Sequence, residues 1–270
     1  MTGQRALAAE EPPGPGWILL AAGRWNEVWL APDGRTVLKR YAERSRAENE
    51  AATLRLLAER RVPAPRLLDV RLGPGPAVVR MSAVAGEPLT ADEAVRVAPA
   101  VLAPVHEIRG GWYGRVAGGE RFSSWGAYLA TRISFYLAHV EREPSLSARL
   151  TSSSFAALPR LVRSSCGEPR LLHNDLHEAQ FVGPPARPTL VDWEHSVFGD
   201  PLFDLARLRL RAGLDRLGPP ADSPQERLLE AYRRIILLAN VALGVGRPPE
   251  DPHRRQCLLA EAELSEVPPR

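Results

Sequence analysis

Lysine is almost missing from this 270-residue chain: of its 35 Lys/Arg residues, only Lys39 is lysine and the other 34 are arginine. Cysteine is nearly as scarce. Cys166 and Cys257 stand far apart in no ligand-like spacing, which argues against a disulfide framework and suits a reducing cytoplasm. No apolar run approaches the roughly 18 residues of a membrane span, and residues 1–16 lack the basic stretch and apolar run of a secretion signal. The expectation is a cytoplasmic protein with no membrane partner. An excess of one charge is lacking too. The basic side chains are interleaved with 32 acids for a net charge of +3, so the basicity does not point to nucleic acid.

What is present is periodic structure punctuated by 26 prolines and 21 glycines. Trp17–Ala22 and Glu27–Ala31 read as strands interrupted by Gly23-Arg24-Trp25-Asn26. Pro32-Asp33-Gly34 is a turn in which Pro presets φ and Gly supplies φ > 0. Arg35–Tyr41 alternates as the next strand and holds Lys39. A site that needs a compact ammonium in place of a planar guanidinium fork would keep lysine where other cations drifted to arginine. Residues 45–61 predict a helix with Ala51, Leu54, Leu57 and Ala58 on its apolar stripe, stopped by Val62-Pro63-Ala64-Pro65. Arg66–Val70 and Ala77–Ala83 read as further strands. Ala85-Gly86-Glu87-Pro88 is a break. Helices are predicted beyond it at about 91–108, 122–143, 153–165 and 224–244, around a β-like island at 171–198. The fold class expected is α+β: a flexible N-terminus (1–16), a small β-rich N-lobe (17–84) and a larger, mainly helical C-lobe (85–270).

The island holds the strongest signal: His173-Asn174-Asp175-Leu176-His177-Glu178-Ala179-Gln180, then Val191-Asp192-Trp193-Glu194, then Gly199-Asp200-Pro201-Leu202-Phe203-Asp204-Leu205-Ala206. Phosphoryl transfer needs few parts. A cation meets the nucleotide phosphates, a carboxylate accepts the proton of the attacking hydroxyl, and oxygen ligands hold Mg²⁺. A glycine-bearing bend lets backbone N–H groups approach the phosphates. Gly23, Lys39, Asp175 and Gln180 with Asp192 supply these parts in the order a kinase-like domain uses.

In these strings the chain resembles the aminoglycoside phosphotransferase/choline kinase family, relatives of protein kinases. The family's Gly-x-x-Asn bend is matched by Gly23 to Asn26, its strand lysine by Lys39, and its helix glutamate by Glu50 in Asn49-Glu50-Ala51. The resemblance covers about residues 17–245. It implies a bilobal protein-kinase-like fold and an ATP- or GTP-dependent O-phosphotransferase acting on a hydroxyl of a small molecule, with Mg²⁺ as cofactor. Asp175 would be the catalytic base, and Asp192 and Gln180 the metal ligands. Lys39 would bind phosphates and pair with Glu50. Gly23 and Asn26 would shape the nucleotide bend, and Met81 to Val84 would form the hinge that reads adenine through its backbone. His173 would brace the catalytic loop and Asp200 would anchor it, while Glu178 and Glu194 could contact metal or substrate. The protein would act as a monomer or homodimer.

Two residues depart from the family pattern: Asn174 replaces Gly, and Gln180 replaces the metal-binding Asn. They leave open a catalytically weak nucleotide-binding module. His173 and His177, four apart, also admit a metal-dependent hydrolase. Against it, Asn174 stands where a zincin helix carries Glu, and only Cys166 and His195 offer further ligands nearby. Plainer roles compete at single positions. Glu50 could belong to a solvated helix face, and Gly23 and Asn26 to an ordinary hairpin bend. An acceptor bearing cationic groups, as an antibiotic does, would call for acids along the cleft, which Glu178, Glu194, Asp204, Glu261, Glu263 and Glu266 could supply. An antibiotic-like or sugar hydroxyl is the expected acceptor, with antibiotic resistance as one expected role.

Overall fold

Side chains of the segment Thr36–Tyr41 alternate between two faces, as a strand requires. Leu38 joins Trp29 and Val78 in an apolar cluster flanked by Trp17. Lys39 and Tyr41, two residues apart and so on one face, both reach Glu50. A computed structural model of the chain describes residues 12–23, 25–147, 150, 155, 158–163, 167–212 and 223–266. Within it this segment is β3 of a five-stranded antiparallel sheet. The other strands are β1 (Ile18–Ala22), β2 (Asn26–Leu30), β4 (Leu67–Arg71) and β5 (Ala77–Ser82), and the order is β1-β2-β3-β5-β4.

Helix α1 (Arg44–Glu59) follows β3 and carries two buried stripes. Ala47, Ala51, Leu54 and Leu57 form the apolar one. Arg46, Asn49, Glu50 and Thr53 form a polar one with i, i+3, i+4, i+7 spacing, and it too is buried. It packs on the turn at Trp193–His195, a short 3₁₀ segment. Helix α2 (Ala91–His106) begins at a capping box, with Thr90 accepting from the Glu93 N–H and Glu93 bonding back to the Thr90 N–H.

By compactness the chain forms two units. The first takes the described residues up to Arg109 together with 115–121 and 170–198; the second takes 110–114, the described part of 122–169, and 199 onward. A single cut between 84 and 85 therefore does not divide them. The Leu89 N–H donates to Phe181 O at 2.8 Å, the Gly183 N–H to Glu87 O at 3.0 Å, and the Leu171 N–H to Ile108 O at 2.9 Å. These bonds stitch the predicted break and α2 to the island. Gly86 has φ 110° and no room for a side chain, since a Cβ there would lie 2.7 Å from the Gly183 Cα.

The second unit is helical: α3 (Trp125–Val140), α4 (Pro144–Ser147), α5 (Leu158–Arg163), α6 (Leu202–Ala212), α7 (Pro224–Gly244) and α8 (Pro252–Glu266). Trp125, Phe203 and Tyr232 meet edge-on at its centre. Besides the single turn α4, two of these helices, α6 and α8, are absent from the sequence reading. The first is announced only by Asp200, whose carboxylate accepts the Leu202 N–H at 3.0 Å. The second, with the sequence Pro-His-Arg-Arg-Gln-Cys-Leu-Leu-Ala-Glu-Ala-Glu-Leu-Ser-Glu, has no clear apolar stripe. No described helix is long and apolar enough to cross a membrane.

Candidate active site

The first unit concentrates charge around one ammonium. Lys39 Nζ lies 2.5 Å from Asp192 Oδ1, 2.9 Å from Glu50 Oε2 and 3.3 Å from Glu194 Oε2. Lys39, Glu50 and Glu194 are buried, while the Asp192 side chain is about a third exposed. Strand β3 delivers Lys39, α1 delivers Glu50, and the island delivers Asp192 and Glu194. Glu50, Asp192 and Glu194 are the one group of three His, Cys, Asp or Glu among the described residues whose ligand atoms converge closely enough for a metal. The cation in that nest is Lys39. Neither His173 nor His177 belongs to such a group.

Each acid is further held. Glu50 Oε1 accepts the Trp193 N–H at 3.0 Å and Oε2 accepts from the Tyr41 hydroxyl. Glu194 Oε1 accepts from Arg46 Nη1 at 2.9 Å, and Oε2 accepts from the Asn26 side chain. Asp192 Oδ2 accepts from Gln180 Nε2 at 3.3 Å, and Gln180 Nε2 also meets His177 Nε2 at 3.0 Å.

Burial penalises every charge here, and the balance differs by residue. Lys39 is desolvated, yet Asp192, Glu50 and Glu194 hold its pKa well above the usual lysine value. Glu194 is desolvated too, yet Lys39, His195 and Arg46 hold it well below the usual carboxylate range. For Glu50 burial outweighs Lys39, with Asp192 and Glu194 adding repulsion, and its pKa is pushed up to about 7.

The string His173–Gln180 begins after the strand Arg170–Leu172. His173 is buried, lies tilted against Trp193 with ring centroids 4.7 Å apart and meets Val191 O through Nε2 at 2.9 Å, so it joins the loop before Asp175 to the one before Asp192. Asn174 has φ 64°, in the left-handed region where Asn is among the few tolerated side chains. That accounts for a position at which either Gly or Asn can stand. Its side chain donates to His195 O at 2.8 Å. Asp175 follows, half-buried, and Glu178 is half-buried on the next turn. Asp192 itself has φ 70°, a conformation costing a non-glycine residue on the order of 1–3 kcal/mol and typical of functional sites.

Three further positions refine the sequence reading. Gly23 donates its N–H to Asn26 O at 2.8 Å, closing the bend between β1 and β2, in which Arg24 lies outside the described residues. A Cβ at Gly23 would make only ordinary contacts, the nearest at 3.6 Å, so neither clash nor conformation demands glycine there. Of the predicted hinge, Met81 lies buried in β5, and the N–H groups of Ser82 and Ala83 donate to Arg66 O and Arg35 O. Val84 follows, half-buried. Asp200 sits in the second unit, where its other oxygen accepts from the Tyr232 hydroxyl at 2.6 Å.

The acids expected to line a cleft do not do so as a set. Asp204 and Glu261 are buried, at 0% and 5% exposure, and Glu194 is bound by its neighbours. Glu263 pairs with Arg233, and the Glu266 side chain and Cys166 lie outside the described residues.

Sequence reasoning missed Asn49. It is fully buried and satisfied on both ends of its amide. Nδ2 donates to Glu194 O at 3.0 Å and Ser196 O at 2.9 Å, and Oδ1 accepts the Ala117 N–H at 3.0 Å. Thr53, one turn on, meets Ser196 Oγ at 2.6 Å. The repeated polar spacing on α1 was the signal that could have found them.

The model of the phosphotransferase enzyme family matches residues 17–242 of the chain. No curated protein matches it. Among solved structures it is similar to the apo form of a thermostable mutant of aminoglycoside phosphotransferase APH(4)-Ia, with a TM-score of 0.70 and 18% identity over 92% of each chain. Another thermostable mutant of that enzyme, in a ternary complex with AMP-PNP and hygromycin B, gives 0.69 and 17% identity over 93% of this chain and 92% of that one. A putative fructosamine-3-kinase from Haemophilus somnus 129PT gives 0.66 and 15%, over 92% and 90%. At such identities the likeness is one of fold. The fold is α+β and protein-kinase-like, with a five-stranded N-terminal sheet and a helical C-terminal part.

Proposed function

The chain belongs to the phosphotransferase enzyme family and is a small-molecule phosphotransferase; from that premise we propose that it moves the γ-phosphate of ATP or GTP to a hydroxyl of an antibiotic-like or sugar acceptor. One observation carries the assignment of the site. The single lysine is held at once by the helix glutamate (2.9 Å) and the island aspartate (2.5 Å), and Gln180 bonds the same aspartate.

In this reading Lys39 meets the α- and β-phosphates, and Glu50 keeps it pointed at them. Asp192 and Gln180 would hold Mg²⁺. A carboxylate and an amide both offer oxygen to a hard cation, with the Gln180 amide turned so that its oxygen replaces the Nε2 that faces Asp192. An ion held there would supply positive charge to the transferring phosphate. Asp175 accepts the proton of the acceptor hydroxyl and orients its oxygen for in-line attack. His173 braces the loop that carries Asp175, and Asp200 supports the chain that follows. Gly23 and Asn26 form the bend over the phosphates; that a Cβ at Gly23 would clash with nothing supports a glycine kept for the close approach of a ligand. Adenine is read at the end of β5, by the backbone about Val84. Glu178 stands beside Asp175 in sequence and faces the acceptor.

The protein works in the cytoplasm, as a monomer or homodimer. The buried acids favour neither a cationic antibiotic nor a neutral sugar, so the acceptor is a matter for a screen. The test is a calorimetric titration of ATP and GTP with and without Mg²⁺ on wild type and Lys39→Ala, followed by phosphate transfer to a panel of aminoglycosides, sugars and amino alcohols. Mg-dependent binding weakened by the substitution, with transfer to one acceptor class, is the expected result. Binding of neither nucleotide would sink the proposal.

A further inference from the structure

Glu194 is the one acid of the Lys39 nest that the mechanism above leaves without a task. It looks at first like a spare metal ligand, but its oxygens are already taken. Oε1 accepts from Arg46 at 2.9 Å and lies 3.3 Å from His195 Nε2. Oε2 accepts from the Asn26 side chain and lies 3.3 Å from Lys39 Nζ. The side chain is 4% exposed. Two full cations within 3.3 Å neutralise it, so it presents little net charge to a phosphate.

Its partners share a destination. Asn26 belongs to the glycine bend. Arg46 lies at the start of α1, four residues before Glu50, and its guanidinium covers the ring of Trp25, also in the bend, at 4.7 Å. The Ala42 N–H donates to Trp25 O at 2.9 Å. Glu194 thus ties the bend to α1 and to the strand lysine from beneath, while the Arg46–Trp25 stack ties it from the side.

We propose that Glu194 is a positioning residue: with Arg46 it forms a clasp that holds the nucleotide bend in its ligand-ready shape through Asn26. A bend held before nucleotide arrives need not be ordered when it binds, and that saving appears as affinity. The inference rests on the nucleotide-dependent reading above.

The test measures Kd for ATP and GTP by calorimetry, with and without Mg²⁺, on wild type, Asn26→Ala, Glu194→Gln and the double variant. Asn26 sits on a half-buried bend, so its variant keeps the assay informative if Glu194→Gln folds poorly. Each single change should weaken binding about 10-fold, the scale of one lost hydrogen bond to a charged group. The double variant should be no worse than the weaker-binding single one, and the loss should be equal with and without Mg²⁺. Unchanged Kd in Asn26→Ala overturns the clasp, as do losses that multiply in the double variant. A defect in Glu194→Gln confined to the Mg-dependent part of binding would make Glu194 a metal ligand instead. If wild type binds neither nucleotide, the phosphotransfer reading falls and the clasp with it. If wild type binds and Asn26→Ala matches it, only the clasp falls.

Discussion

The two units bury polarity in different ways. In the first, Lys39, Arg46, Asn49, Glu50, Thr53, His173, Gln180 and Glu194 are all buried, and they bond mainly to one another across α1, β3 and the island. In the second, the centre is made of Trp125, Phe203, Tyr232 and the leucines and isoleucines of α7, and the buried acids are Asp204, Glu261 and Asp200, whose carboxylate is held by a hydroxyl and a backbone N–H. Taking ions out of water costs several kcal/mol each unless partners compensate. An apolar interior would give the first unit more stability. That it carries a cross-bonded nest of three acids and one lysine indicates that the charges are kept for a purpose other than stability.

The largest effect expected is on turnover. Asp175→Asn should lower the phosphotransfer rate on the order of 10²–10⁴, the range for a general base, while nucleotide affinity and unfolding midpoint stay close to wild type. Steady-state rates beside calorimetric Kd values check this; full activity in the variant would remove Asp175 from the mechanism.

A sharper contrast comes from breaking one centre in each unit. Lys39→Met leaves Glu50, Asp192 and Glu194 facing one another without their shared cation, which should cost about 3–5 kcal/mol, as breaking a buried ion pair does. Tyr232→Phe removes one donor to Asp200 and the acceptor of the Trp125 indole, a bond of 3.1 Å, and should cost about 1–3 kcal/mol. Urea unfolding of both variants decides. Equal losses would erase the distinction between the units.

Glu50 makes the first unit sensitive to pH. Its pKa rises from an ordinary 4.5 to about 7 on folding. Between those values the folded protein holds a proton that the unfolded chain has released. The stability this contributes is full below about pH 4.5 and is lost as pH rises through 7. The shift corresponds to about 3 kcal/mol. Wild type should therefore lose stability relative to Glu50→Gln between pH 5 and 8, measured as the difference between their denaturant midpoints. A constant difference across that range would mean that Glu50 is ionised throughout.

The sheet strands, α1 and the island motifs were legible because each carries a local signature: alternation around Lys39, an apolar stripe on α1, and short polar strings between apolar residues. The division of the chain was not legible, because Gly86 crossing Gly183 is a contact between residues about 100 apart and a linear scan sees only a Gly-Pro break. Helix α6 hid behind the Gly-Asp-Pro string, whose Asp200 reads equally as a site residue and as a helix cap. Asp204, Glu194 and Glu261 read as cleft acids because sequence gives their charge but not their burial. The polar stripe of α1 was overlooked because a helix face of Arg, Asn, Glu and Thr is normally solvated; here it faces the turn at 193–196, which has its own backbone groups to satisfy.

Thr53→Val probes that stripe with the smallest change. Valine keeps the shape and the buried position but removes the hydroxyl that donates to Asn49 O at 2.8 Å and meets Ser196 Oγ at 2.6 Å. Ser196 Oγ keeps its bond to Trp193 O at 2.8 Å, so no group on that side is stranded. The expected stability loss is about 1 kcal/mol. If α1 is fixed to the turn at 193–196 by several independent bonds, nucleotide Kd should change by less than about twofold, because Asn49, Glu50 and Arg46 still hold the helix. A larger change in Kd than in stability would mean that the helix sits on a knife-edge set by its last polar contact, and that the buried polar face of the first unit acts by placing Glu50 more than by holding the fold together.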